Sequence, residues 1–293
     1  RIFYATDIHG SEKCWMKFTN AGQFYKANVV ILGGDLTAKR MIPLIQRGSD
    51  YEALFEGKKW SSPADKLDEM EKMIRDKGYY TYCTTSDEVE ELTSNAKRRD
   101  ELFLEVATGT LRRWMRIADE RLKNSNIRCF VCPGNDDMPE IDAAIEEAEF
   151  VTNAGNKVVM IDDHHEMISL GWCNPTPWNT FKECCEEELN KKIENLVSQL
   201  KSVDNSIFNL HAPPFGAGLD DAPQSDAATR NLVPVGSTAV RECIEKYQPL
   251  LGLHGHIHEA RGFVKIGRTI CINPASSYDR GILLGALINL DEK

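Results

Sequence analysis

The chain has 293 residues, with 45 Asp and Glu against 35 Lys and Arg, a formal charge of −10. That balance argues against a general nucleic-acid surface, which needs clustered Lys and Arg to track phosphates, and it suits a small phosphorylated partner better. No apolar stretch is long enough to cross a bilayer and no signal-peptide pattern is evident, so no membrane partner is expected; nine irregularly spaced cysteines fit a reducing, cytoplasmic setting.

Ile2-Phe3-Tyr4-Ala5 and Val29-Val30-Ile31-Leu32 are short apolar runs of the kind that form buried strands. Asp7 and His9 follow the first, and Asp35 follows the second after Gly33-Gly34. About 100 residues then separate Asp35 from Asn135, where a strand, helix, strand crossover needs only a few tens. The excess predicts an insertion over approximately 40–125, mainly helical, within one domain spanning 1–293. Asp65 to Lys77 and Asp87 to Leu122 carry apolar residues at helical spacing, among them Leu102, Val106, Leu111, Trp114 and Met115. Between them Gly78-Tyr79-Tyr80-Thr81-Tyr82-Cys83 is a short aromatic segment. The insertion is expected to cover one edge of the domain, with the aromatic segment its best candidate for a lid or a homo-oligomer contact.

Cys129-Phe130-Val131-Cys132 is a third strand run, leading to Gly134-Asn135; its Cys-x-x-Cys has no second pair at zinc-ribbon spacing, so strand packing is expected. Ile141 to Glu149 reads as a helix. Lys157 to Ile161 and Glu166 to Leu170 read as a strand pair around Asp162-Asp163-His164-His165, whose two histidines are expected in an exposed turn. Gly171 to Asn179, rich in aromatic, Pro and amide residues, suits a cleft wall. Phe181 to Leu200 reads as an acidic amphipathic helix, and Ser237 as the N-cap of a helix running to Tyr247. Ile207-Phe208-Asn209-Leu210 leads to His211, and Leu250-Leu251-Gly252-Leu253 leads to His254, Gly255, His256 and His258. His254 is expected to pack or to support the ligands rather than to bind metal.

Five apolar runs thus end in Asp, Asn or His. Zinc, manganese and iron accept imidazole nitrogens, and a carboxylate can bridge two cations about 3.5–4 Å apart, so the set is what a two-metal hydrolase needs. Ligands in open α/β sheets collect beyond the carboxyl ends of strands, which lets distant segments converge. Asp7 with His9, and His256 with His258, each put two side chains on one face of an extended segment. Gly33-Gly34, Gly134 and Gly255 are expected to let the backbone turn sharply at the strand ends.

The order Asp7-Ile8-His9, Gly34-Asp35, Gly134-Asn135, His211 and Gly255-His256-Ile257-His258 resembles the calcineurin-like metallophosphoesterase superfamily. His211-Ala212-Pro213-Pro214-Phe215-Gly216, Leu219-Asp220 and Asn273-Pro274-Ala275-Ser276 are similar to its branch of Icc-type phosphodiesterases and related predicted phosphoesterases. The resemblance implies a four-layer α/β/β/α sandwich holding two metal ions, manganese, iron or zinc. Asp7, His9 and His258 would hold one ion, Asn135, His211 and His256 the other, with Asp35 bridging and a hydroxide as nucleophile. The implied activity is phosphodiester or phosphomonoester hydrolysis on a small metabolite or nucleotide. A non-catalytic scaffold and a nuclease are the alternatives.

Many members have His after the Asn, whereas Gly134-Asn135 is followed here by Asp136-Asp137. The leaving-group acid is therefore unassigned. Asp136 is a weak candidate, because a carboxyl beside dications favours its charged form; it is better suited to orienting another side chain. Activated aryl phosphates or phosphodiesters are accordingly expected to react faster than alkyl monoesters.

Overall fold

The computed structural model describes residues 1–223 and 231–290. β1 (Ile2–Ala5), α1 (Glu12–Tyr25) and β2 (Val29–Leu32) come first, both strands buried along their length. The Ser11 hydroxyl caps α1 by accepting from the Cys14 amide. β3 (Met41–Arg47), β4 (Asp50–Phe55), β5 (Lys58–Pro63), α2 (Leu67–Arg75), β6 (Tyr80–Thr84) and α3 (Ser86–Ser94) follow. The long α4 (Ala96–Leu122) returns the chain to β7 (Arg128–Val131), α5 (Asp142–Glu146) and β8 (Val151–Asn153). The second half contains β9 (Lys157–Met160), β10 (Glu166–Leu170), α6 (Glu186–Val197), β11 (Ile207–Leu210), β12 (Asp221–Pro223) and β13 (Leu232–Pro234). It ends with α7 (Thr238–Tyr247), β14 (Leu251–Leu253), β15 (Gly262–Ile266), β16 (Thr269–Asn273) and β17 (Ala286–Ile288).

The protein is mixed α/β. One sheet has the order β17-β1-β2-β7-β8, parallel except for β17. Another has the order β15-β16-β14-β11-β10-β9, with antiparallel strands only at its two edges. Strand alternation divides the core. Phe3, Ala5, Val30 and Val131 pack with Trp15 and Phe18 of α1, Trp114 and Met115 of α4 and Ile145 of α5. Ile168, Phe208 and Leu210 pack with Leu189 and Ile193 of α6 and Val240 and Ile244 of α7. The alternate residues Ile2, Tyr4, Val29, Ile31 and Phe130 share a third cluster with Met167, Ile207, Leu251 and Leu253 of the other sheet. The buried Tyr4 hydroxyl donates to the His254 carbonyl at 2.9 Å, tying β1 to the end of β14.

Between 40 and 125 the expected helices are present as α2, α3 and α4, and a sheet accompanies them. β5-β4-β3-β6 form a four-stranded sheet with its own core of Leu44, Ala53, Phe55, Met70 and Ile74. β5 is exposed and polar, presenting Lys58, Lys59 and Ser61 to solvent, and the apolar run of β3 is interrupted by Pro43, so neither carries the usual mark of a buried strand. Glu56 and Gly57 make the hairpin turn with φ of 50° and 71°, a conformation usually signalled by Asn-Gly. Conversely, α4 belongs to the core of the first sheet, where Trp114 stacks on Trp15 at 5.1 Å. The aromatic segment is β6, with Tyr80 buried in that same cluster rather than presented as a lid.

Three smaller differences follow from loops. The acidic helix starts at Glu186, because residues 171–185 are held by other contacts. A 3-10 turn, Pro139–Ile141, precedes the short α5. His164 is exposed as expected, but His165 is buried, its Nδ1 lying 2.8 Å from Asp162. No helix among the described residues is long and apolar enough to cross a membrane.

Candidate metal centre

β1, β2 and β7 are adjacent and parallel, as are β11 and β14, so the residues just past their carboxyl ends emerge together. Asp7, His9, Asp35, Asn135, His211, His256 and His258 all meet there. Asp7, His9 and His258 bring their ligating atoms within 4.8 Å of one another, and so do Asp35, His211 and His256. Asn135 joins the second group, its Oδ1 2.9 Å from His256 Nδ1.

The carboxylates are held by hydrogen bonds, and the His256 amide donates to both oxygens of Asp7, at 3.2 and 3.1 Å. Asp7 Oδ2 accepts from the Thr6 hydroxyl at 2.6 Å, and Asp35 Oδ1 accepts from the Asp136 amide at 3.0 Å. Asp7 Oδ1 then lies 3.4 Å from His258 Nε2 and 3.8 Å from His211 Nε2. Asp35 Oδ2 lies 3.6 Å from His9 Nε2 and 3.4 Å from His211 Nε2, between the two groups.

The chemistry of this donor set calls for cations. His9 Nε2 and His258 Nε2 face each other at 3.0 Å, and neither ring nitrogen of the fully buried His211 has a hydrogen-bond partner. Buried nitrogens left without partners are costly, and a metal ion satisfies them. Burial would lower His211, yet Asp35 and Asp7 carry it up to about 9, while burial and His211 hold His256 down to about 4.

The backbone here is strained. Asp7, His9, Asp35 and His256 have φ of 54°, 38°, 51° and 67°, in the left-handed region that non-glycine residues rarely enter. The ligands themselves therefore make the sharp turns that the flanking glycines were expected to make. Those glycines have a different role. A Cβ on Gly34 would lie 2.1 Å from His211 Nδ1, and one on Gly134 2.1 Å from Asp35 Oδ1, so their hydrogens admit the ligands of neighbouring loops.

Several residues named in the sequence without a supporting role hold the ligand loops together. Asp137 accepts from the amides of Gly134, Leu36 and Thr37 at 2.7, 2.9 and 2.8 Å and from the Thr37 hydroxyl, locking the β2 loop to the β7 loop. The Asn273 amide group donates to the carbonyls of Leu219, Gly255 and Ile257, bracketing His256. Ser276 donates to the Asp7 carbonyl at 2.6 Å. The Asn273-Pro274-Ala275-Ser276 turn therefore fastens the β14 loop to the β1 loop. Of the neighbouring histidines, His254 is buried with Nδ1 2.8 Å from the Leu210 carbonyl, as a packed histidine should be.

Asp136 stands at the edge of the same centre, a carboxylate oxygen lying within 4.8 Å of ligating atoms of His9 and Asp35. Its Oδ2 pairs with the half-exposed Lys39 ammonium at 2.7 Å and lies 3.8 Å from His9 Nδ1. Burial and the Asp35 charge raise its carboxyl to about 6 against the pull of Lys39. Lys39, four residues past Asp35 on the same loop, was not singled out by any sequence pattern.

No family model matches the chain. The chain is 36% identical over 146 residues to the uncharacterized protein MJ1162 of Methanocaldococcus jannaschii, a match covering 49% of this chain and 62% of that protein. The match therefore spans less than two thirds of that relative. Two solved structures share the fold over nearly the whole chain. One, at 17% identity, has a TM-score of 0.59 and covers 94% of this chain and 90% of its own. The crystal structure of TT1561 of Thermus thermophilus, at 11% identity, has a TM-score of 0.53 and covers 97% of each.

Proposed function

We propose that this chain is a dinuclear metal-dependent phosphoesterase of the calcineurin-like superfamily, acting on a small phosphorylated metabolite or nucleotide. The observation that carries this reading is the convergence of seven candidate ligands from five strand ends on two carboxylate oxygens, Asp7 Oδ1 and Asp35 Oδ2. The division of apolar residues into a cluster between the sheets and one beneath the helices on each outer side fits the four-layer α/β/β/α sandwich of that superfamily.

Asp7, His9 and His258 would hold one ion, Asn135, His211 and His256 the other, with Asp35 shared between them. When bound, such ions polarise a phosphoryl oxygen and lower the pKa of a water to make it a nucleophile near neutral pH. The chain supplies the rest. The left-handed backbone at Asp7, His9, Asp35 and His256 aims their side chains into the centre, and Asp137 and Asn273 keep the loops in register. The Asp136 carboxylate holds the Lys39 ammonium at the edge of the site, where it favours an anionic substrate.

With Asp136 engaged by Lys39, no histidine stands in the position from which relatives protonate a leaving group. Esters whose leaving group needs little protonation should then react fastest. A panel of aryl and alkyl phosphomonoesters and of cyclic and linear diesters, assayed after manganese reconstitution, tests this. Aryl esters are expected to be cleaved at least about 100-fold faster than alkyl esters; equal rates across the panel would contradict the leaving-group argument, and no hydrolysis of any member would contradict the function.

A further inference from the structure

The loop between β10 and α6 is fastened to one ligand by a directed chain of hydrogen bonds. Asn135 Nδ2 donates to Thr180 Oγ1 at 2.9 Å, and that hydroxyl donates in turn to Glu183 Oε1 at 2.6 Å. Glu183 is held by further donors, the Thr180 amide at 2.7 Å and the Thr176 amide and hydroxyl at 2.9 and 2.6 Å. The loop is also tied to the ligand segment by the Lys182 amide, which donates to the Asn135 carbonyl at 3.2 Å.

The direction of this chain has a consequence for Asn135. An ionised carboxylate only accepts, so Glu183 takes the single hydroxyl proton of Thr180. Thr180 is left with lone pairs and must be met by a donor. The amide NH₂ of Asn135 is therefore turned toward Thr180, and its carbonyl oxygen toward His256, 2.9 Å from Nδ1. An amide flipped the other way would set its oxygen against the Thr180 lone pairs and present N–H groups, which cannot ligate, to the metal centre.

We infer that Thr180 and Glu183 are positioning residues that fix the polarity of the Asn135 amide and thereby set the affinity of one of the two metal sites, the one formed with His211 and His256. This rests on the two-metal reading above. Neither residue touches the centre itself; Glu183 acts through Thr180, and Thr180 through Asn135.

Calorimetric titration of the metal-stripped full chain with Mn²⁺ tests it without recourse to activity. Thr180→Val removes the acceptor with little change in shape. It is expected to weaken one of two binding events by about tenfold or more and to leave the other within about twofold of the wild type, with Thr180→Ser restoring the first. Glu183→Leu, which removes the acceptor and frees the Thr180 hydroxyl to donate, is expected to give the same single-site loss and serves if Thr180→Val does not fold. Wild-type affinity at both sites in Thr180→Val and Glu183→Leu, equal weakening of both sites, or no rescue by Thr180→Ser would overturn the inference while leaving the two-metal reading intact. A wild-type chain that binds no Mn²⁺ would instead overturn that reading, and this inference with it.

Discussion

Ala275 has a φ of 63°, in the left-handed region where a Cβ costs about 1–2 kcal/mol and glycine nothing comparable. It stands in the Asn273-Pro274-Ala275-Ser276 turn that fastens the β14 loop to the β1 loop, and its amide donates to Asn273 Oδ1 at 2.8 Å. Its methyl group is buried, so replacement by glycine gives back about 0.8 kcal/mol of that gain. Ala275→Gly is expected to stabilise the protein by up to about 1 kcal/mol, read as a higher midpoint in urea at unchanged slope. A lower midpoint would mean that the methyl contacts outweigh the backbone strain. At this scale the seven ligands are legible in the sequence because their residue types stand at the ends of apolar runs. The residues that aim them are not. Thr180 lies 45 positions from Asn135 and Asp137 lies 101 from Leu36, and no local pattern marks a partner at that distance. The glycines beside the ligands were visible as glycines, but whether they turn the chain or admit a neighbour depends on what packs against them.

Strands buried on both faces, such as β1, β2 and β11, announce themselves as apolar runs, and the N-cap of α7 was legible because Ser237 accepts from the Val240 amide as such caps do. The sheet β5-β4-β3-β6 was hidden because β5 faces solvent with polar residues and the apolar run of β3 is interrupted by Pro43. α4 was read as part of the insertion because its apolar spacing says only that one face is buried, not against what. Its packing distinguishes the two: Trp114 is fully buried on Trp15, while Leu54 of β4 is exposed. Trp114→Ala is expected to cost about 3–5 kcal/mol and Leu54→Ala to stay within about 0.5 kcal/mol, measured by equilibrium denaturation. A small loss at Trp114 would detach α4 from the main core. The small sheet does abut the centre through one loop: a Cβ on Gly78 would lie 2.6 Å from the His9 carbonyl oxygen, and Ser11 donates to the Asp76 carbonyl at 2.7 Å.

Two parallel-stranded sheets, joined through Ile2, Tyr4, Ile31, Met167 and Leu253, aim their carboxyl ends at one place. That arrangement turns five separate strand ends into one buried centre, and the likeness to two solved structures over almost the entire chain supports the fold independently of the ligands. Its net charge of −10 includes two carboxylates buried at the centre, Asp7 and Asp35, a concentration of negative charge that favours cations there. Metal content per chain after manganese reconstitution and dialysis, read on the same samples as hydrolysis of an aryl phosphodiester, tests the two-ion centre most directly. The wild type is expected to retain about two ions and to hydrolyse the ester, and Asp35→Asn to retain about one or fewer and to lose activity about 100-fold or more. A single ion in the active wild type, or undiminished hydrolysis in Asp35→Asn, would contradict it.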